Sequence, residues 1–403
     1  MNGLPSTPAP CPQPESPAVN PLPDHRVIPI HPAPLTPQEA EVARVITICN
    51  ACRYCEGFCA VFPAMTRRLD FARADVHYLA NLCHNCGACL HACQYAPPHE
   101  FGVSIPQAMA RVRQTTYQDY AWPAALGGLY RRNGLTLALA LVLSFLLLLV
   151  LLMQRNGGLG AAASATFYDL MPHGSLVGLF APVLGFAVLA LALGLRQYWH
   201  DIAAVTSAQP LTAPAATEAT AQALTLTYLD GGHGEGCHNE DDAWTHARRR
   251  AHHLTFYGFA LCLAATAVGT VYHYLFGWVA PYALPELPKL LGAAGGLSLM
   301  AGTLGLGWLH LRRHPQHAEA SQRPMDLGFI ALLFLTAASG MALWAAGGSP
   351  ALGPALCLHL ASVLALFATL PYSKFAHGVY RSAALLRHAV EKRQPNPVGL
   401  GDD

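Results

Sequence analysis

Two cysteine runs carry the first recognisable chemistry in this sequence. Cys49, Cys52, Cys55 and Cys59 follow C-x2-C-x2-C-x3-C, and Cys83, Cys86, Cys89 and Cys93 repeat the same spacing. Three closely spaced thiolates wrap one face of a cubane cluster, and the fourth of each run characteristically ligates the other cluster. The pattern predicts two 4Fe-4S clusters with crossed ligation: one on Cys49, Cys52, Cys55 and Cys93, the other on Cys83, Cys86, Cys89 and Cys59. All four thiols are present in each set, which favours a four-iron over a three-iron centre. Structural zinc would instead use two separated C-x2-4-C pairs and has no use for a triplet plus one. The familiar bacterial run ends in C-P, whereas here Pro63 and Pro97 come four residues after Cys59 and Cys93, so the exit turn differs. His84, His91 and His99 lie beside these thiols. With every ligand position filled by sulfur, they read as surface residues or outer hydrogen-bond donors.

The histidines form the second constellation. His359 and His377 stand eighteen residues apart. That is five helical turns, so on one continuous helix both imidazoles face the same way, about 27 Å apart. This is the geometry of axial ligands for two haems stacked across a bilayer, each needing a second imidazole from another helix. An earlier apolar run offers candidates at both ends: His252 or His253 to join His377, and His273 to join His359. His252 is about 60° out of register with His273 and His253 about 160°, which favours His252 unless the helix end frays or kinks. Any such residue at a helix end could instead snorkel to the interface. His173, His200, His310 and His314 also flank apolar runs and are weaker candidates.

The elements that must position these groups follow from composition. Of 403 residues, 53% are hydrophobic and only 12% charged, the balance of a membrane protein. Six apolar runs of about twenty residues, long enough to cross roughly 30 Å of hydrocarbon, fall near 134–153, 174–195, 254–274, 290–309, 327–346 and 351–370. A soluble core would need amphipathic helices, which these are not. Ahead of them, Thr36-Pro37-Gln38-Glu39 is a capping box with proline at the first helical position. The expected architecture is all-α: a proline-rich disordered tail over 1–35, a helical ferredoxin-like domain over 36–120, a six-helix membrane cytochrome b bundle over 121–390, and a tail over 391–403.

Lys and Arg set the orientation. Arg131, Arg132, Arg196, Arg248, Arg249, Arg250, Arg312, Arg313, Arg323, Lys374, Arg381, Arg387, Lys392 and Arg393 fall on one side of a six-span topology, while the opposite loops carry only Arg155 and Lys289. Both termini and the cysteine domain are therefore expected in the cytoplasm, in a multi-pass protein of the inner (cytoplasmic) membrane. A net charge of +1 argues against a nucleic-acid partner, and the tail lacks the apolar stretch of a secretory signal. The Ala- and Thr-rich stretch 203–227 reads as poorly ordered. The segment 231–238, with Cys237, could bind metal or contact the cluster domain, and reads first as a glycine-rich loop. Cys11 reads as incidental, Cys262 and Cys357 as small buried residues. Gly158-Leu159-Gly160 follows no strand and is no dinucleotide fingerprint.

The run ICNACRYCEGFCAVFP (48–63) with CHNCGACLHACQYAPPHEF (83–101), followed by six spans, closely resembles the tricarballylate and citrate utilization protein B family, over nearly the whole chain beyond the tail. The last span, LHLASVLALFATLPYSKFAHGVYR (358–381), resembles the haem-ligating helix of the cytochrome b subunit of respiratory nitrate reductases. The second resemblance implies His359 and His377 as haem ligands. The first implies a cytoplasmic FAD-dependent dehydrogenase as partner, reoxidised through the clusters and haem into membrane quinone, with a tricarballylate- or citrate-type substrate.

Taken together, the residues describe a relay: cytoplasmic donor, two 4Fe-4S clusters, one or two b-type haems, then quinone. Such an electron-transfer subunit of an oxidoreductase needs no protein nucleophile or acid-base residue. A rival reductase with its own substrate site would need an open iron coordination position. A non-redox transporter would need charges inside the spans, and these have almost none.

Overall fold

The first helix starts where the capping box requires. The Thr36 hydroxyl accepts from the Glu39 N–H at 3.3 Å, and the Glu39 carboxylate accepts from the Thr36 N–H at 2.8 Å. A computed structural model of the chain describes residues 34–155, 167–203 and 210–398. Most of the proline-rich stretch, Cys11, Gly158-Leu159-Gly160 and the last residues of the C-terminal tail lie outside the described residues. The cysteine-bearing part holds α1 (Pro37–Cys52), α2 (Val61–Met65), α3 (Arg73–Leu82), α4 (Ala88–His91) and α5 (Ile105–Asp119). After it come α6 (Ala124–Arg155), α7 (Phe167–Leu170), α8 (His173–Ala203), α9 (Ala213–Thr225), α10 (Ala247–Phe276) and α11 (Leu287–Leu311). The chain closes with α12 (Arg323–Ala345), α13 (Leu352–Thr369) and α14 (Ala376–Glu391). Among the described residues the only extended pairing is one antiparallel bridge, Cys237 with Thr245. The all-α expectation holds.

Six helices, α6, α8 and α10 to α13, are long and apolar enough to span a membrane, and they contain or closely match the six expected runs. Leu139, Leu143, Leu147 and Leu151 of α6 form an exposed leucine stripe at four-residue spacing, a surface suited to lipid and not to water. The span expected to begin at residue 134 does so through a break at Asn133 (φ −132°, ψ 30°), which separates it from the preceding turns of α6. There α6 crosses α12 at close range. A methyl group on Gly134 would sit 2.8 Å from the Met325 Cα, so the crossing depends on a missing side chain, as is common between membrane helices.

Val42, Ile46, Val76, Leu79, Met109 and Val112 bring α1, α3 and α5 together in a core. The same cluster continues into Tyr198 and Ile202 of α8, Ala215 of α9 and Tyr380 and Ala384 of α14. The cysteine-bearing part is therefore welded to one end of the helical bundle by shared apolar burial.

Two expectations change. The stretch expected to lack order contains α9: Thr212 caps it by accepting from the Ala215 N–H at 3.4 Å, and Glu218 on it pairs with Arg393 at 2.7 Å. Alanine is the strongest helix former, so a low-complexity run with a cap and a docking face folds. The continuous helix expected from His359 to His377 is instead two helices. Pro371 cannot donate to the preceding turn, and the chain makes a turn in which the Tyr372 and Ser373 N–H groups both reach the Thr369 carbonyl, at 3.0 and 2.8 Å. His359 thus lies on α13 and His377 on α14.

A buried charge cluster ties α14 to α3. The Arg68 guanidinium bonds both Asp75 and Glu391, and the Tyr78 hydroxyl donates to Glu391 at 3.1 Å. Burial raises the Asp75 carboxyl above its ordinary range, and Arg68 works against that rise. Removing Arg68 strands two buried carboxylates, so Arg68→Ala should destabilise the detergent-solubilised protein by about 3–5 kcal/mol in chemical unfolding. On α14, burial pulls the His388 imidazole down to about 4. An unfolded histidine titrates near 6.5, so below that pH the unfolded chain takes up the proton first. Thermal unfolding midpoints should therefore fall between pH 7 and pH 5, and should fall less in His388→Gln.

Candidate functional site

The cysteine runs sit where helices end. Cys49 and Cys52 close α1, whose cap residue Arg53 turns left-handed (φ 58°) and sends the chain back toward Cys55 and Cys59. Cys83 ends α3 in extended conformation, left-handed Asn85 (φ 59°) and Gly87 (φ 86°) redirect the chain, and α4 carries Cys89 just ahead of Cys93. At Gly87 the imidazole of His317 lies 2.6 Å from where a Cβ would be, so both the backbone angle and the space demand glycine.

This geometry gathers the thiols into two neighbouring cavities. The first, about 300 Å³, is lined by Cys49, Cys52, Cys55 and Cys93. A tighter one is lined by Cys59, Cys83, Cys86 and Cys89. Phe62, Cys89 and Ile105 belong to both walls, so the cavities share a partition. Cys93 thus lies beside the first run and Cys59 beside the second.

Among the described residues no three His, Cys, Asp or Glu side chains converge on a point where one ion could sit. A zinc site needs its sulfurs about 2.3 Å from a single centre. Four thiols spread around a cavity suit a cluster of several irons, each iron meeting one cysteine. Burial, with the neighbouring thiols, pushes Cys49 and Cys55 up to about 12, and Cys59 and Cys89 well above the usual thiol range. Such groups become thiolates only around a strongly cationic centre. Backbone N–H groups already aim at the sulfurs: those of Val61 and Phe62 at Cys59, Ala88 at Cys86, and Tyr95 and Ala96 at Cys93.

The segment 231–238 does contact the second cysteine run. The His238 N–H donates to the Cys86 carbonyl at 3.1 Å, and buried Cys237 lies against the Cys86 thiol. Beside it, His91 faces His317 with Nε2 to Nε2 at 2.8 Å, stacks on His238 at 4.2 Å and bonds Asp242. Nothing in the linear sequence signals this knot, because its members come from three distant segments. His84 is buried with Nδ1 2.9 Å from the Leu82 carbonyl, and His99 packs between Tyr95 and Phe101.

The membrane histidines divide. His252 and His377 face each other, ring centroids 6.0 Å apart and planes at 80°. Two imidazoles on opposite sides of one metal, with bonds of about 2.0 Å, have centroids about 6 Å apart, so this pair fits a bis-imidazole centre. The His377 Nδ1–H donates to the Lys374 carbonyl, which fixes the ring. Burial and Arg381 keep this imidazole neutral, the ligating form. His253 turns away to pack on Tyr257, centroids 5.7 Å apart. At the far end His273 stacks on His173 at 4.1 Å, and the His173 Nε2 lies 2.9 Å from the Tyr274 hydroxyl. His359 has Nδ1 3.3 Å from the Ser339 hydroxyl and its ring against Gly340. No hydrogen bond or ring contact joins His273 to His359 among the described residues.

Fold and site together define a six-span helical membrane protein with a double cysteine-run domain welded to one end. Residues 42–119 match the Citrate utilization protein B Fer4-like domain, and residues 128–398 match the family Citrate utilization protein B. The Citrate utilization protein B of Escherichia coli is 55% identical over 370 residues, covering 92% of this chain and 97% of that protein. The chain belongs to the citrate utilization protein B family. No solved structure matches it.

The shared partition makes the crossing testable. Cys59→Ser should alter the same low-temperature EPR signal as Cys86→Ser, and Cys93→Ser the same signal as Cys52→Ser. Uncrossed sites would pair Cys59 with Cys52 instead.

Proposed function

We propose that this chain carries electrons from a cytoplasmic FAD-dependent dehydrogenase to quinone in the inner membrane, as the electron-transfer subunit of an oxidoreductase. One observation carries the reading: two four-cysteine cavities share a wall, and a partly buried imidazole pair stands at the head of the membrane helices. Bound at these residues, two 4Fe-4S clusters and haem b supply one-electron redox chemistry.

The chain's own groups do the rest. Cys49, Cys52, Cys55 and Cys93 hold one cluster, and Cys83, Cys86, Cys89 and Cys59 the other. The N–H groups aimed at their sulfurs stabilise thiolate charge, and the apolar walls of Phe62 and Ile105 keep water from the partition between them. His252 and His377 hold the inner haem, with the Lys374 carbonyl orienting His377. His273 stacks on His173 and makes no ring contact with His359, so the reading rests on one haem, at the inner pair. Arginine and lysine crowd the loops on one side of the spans, which supports both termini lying in the cytoplasm. The family's description points to citrate use, which supports a tricarboxylate of the tricarballylate or citrate type as the substrate of the partner dehydrogenase.

A dithionite-reduced minus oxidised optical spectrum of the purified protein, with low-temperature EPR, tests the reading. A b-type band with two iron-sulfur signals is the expected result, and zinc in place of iron, or no porphyrin, would overturn it. His252→Ala and His377→Ala should each bleach haem while the iron-sulfur signals persist, whereas His253→Ala should leave both intact.

A further inference from the structure

The junction between the second cysteine cavity and the inner imidazole pair carries positive charge with no protein anion to match it. Arg113, 3% exposed, donates to the Cys83 carbonyl. Arg381 donates to the same carbonyl at 2.8 Å and to the Asn81 carbonyl at 3.3 Å. Arg248, 6% exposed, donates to the Asn85 carbonyl and, at 2.9 Å, to the Asn239 side-chain oxygen. Every partner is a neutral oxygen. The nearby carboxylate of Asp326 is engaged by Lys374 at 2.9 Å. A guanidinium carries five N–H donors in a planar fork, and the structure assigns two of them on Arg248 and two on Arg381. The Nε of Arg248 is buried without a partner. Arginine does not surrender its proton in proteins. Arg113 and Arg248 are buried and Arg381 is partly buried, and cations so placed call for an anion.

Two of these arginines occupy matching places. Arg248 precedes His252 by four residues on α10, and Arg381 follows His377 by four residues on α14. Four residues is about one turn, so each guanidinium lies on its imidazole's face of the helix, about 6 Å along the axis. Both lie on the side of the imidazole pair that faces the cysteine-bearing part, since both reach carbonyls of residues 81–85. The place is thus bounded by two imidazoles at metal-binding separation and, one turn away, by two forks shaped for carboxylates.

Resting on the reading that haem binds at this pair, we infer that Arg248 and Arg381 form a clamp for the two propionate carboxylates of that haem. The clamp directs the acidic edge of the porphyrin toward the second cysteine cavity and leaves its apolar edge in the bundle. Because the same side chains hold the carbonyls of Cys83 and Asn85, they also keep haem and cysteine sites at a set separation.

The test compares two porphyrins on one protein. The full chain, produced in haem-deficient cells and purified in detergent, is titrated with iron protoporphyrin IX or with its dimethyl ester, whose carboxylates are blocked. Binding is read from the Soret band, and the iron-sulfur EPR signals report folding. The wild-type protein should bind the free acid about tenfold or more tightly than the ester, the scale of a lost charge-assisted hydrogen bond. R248Q/R381Q should bind both alike, and R248K/R381K should recover part of the preference. Equal binding of both porphyrins by the wild-type protein, or a preference that survives in R248Q/R381Q, would overturn the clamp. If neither porphyrin binds while the iron-sulfur signals persist, the haem reading itself fails, and the clamp with it.

Discussion

The carbonyl oxygen of Cys83 accepts hydrogen bonds from two guanidiniums, Arg113 of α5 and Arg381 of α14. That junction joins three things that must be held together: the helix that ends in the second cysteine run, the helix packed behind it, and the helix that carries His377. It also concentrates positive charge in a buried place, which is tolerable only where anionic centres belong. On the proposed reading, cysteine-ligated clusters and a carboxylate-edged porphyrin would be such centres, and the protein would be arranged around a charge it does not itself supply.

Around that junction the polar chemistry is confined to one end of the bundle. Apolar burial continues from α1, α3 and α5 into the ends of α8, α9 and α14, so the cysteine-bearing part cannot swing on a linker. The Arg68, Asp75 and Glu391 cluster ties α3 to α14 as well. Rigidity of this kind matters to electron transfer, because rate falls steeply with separation and fixed sites need no search. The two cavities also differ in setting. Tyr54, at the wall of the first, is exposed, whereas Cys83 and Cys86 of the second are buried.

Much of this was legible in residue spacing. C-x2-C-x2-C-x3-C repeated twice constrains which thiols can reach a common centre, and the structure sets Cys93 in the cavity of the first run and Cys59 in that of the second. The six spans were legible because an apolar run of twenty residues has few other stable solutions. The preference for His252 over His253 came from register with His273; in the structure His252 faces His377 and His253 packs on Tyr257, while His273 stacks on His173. The break between α13 and α14 shows where such register arguments stop. Eighteen residues place two side chains on one face only if no turn intervenes, and Pro371 forces one.

Sequence alone therefore determined the local matters: how the cysteines are spaced, which segments can cross lipid, where α1 begins. Each depends on interactions within a few turns of one segment, so spacing and composition are enough. The tertiary structure decided what meets across the chain. It placed Arg248 and Arg381 beside a common imidazole pair, set Cys237 against Cys86, stacked His273 on His173, and folded an alanine-rich stretch into α9 against α14. Those outcomes depend on packing between residues a hundred or more positions apart, or on a docking face supplied by another helix, and no local pattern encodes them.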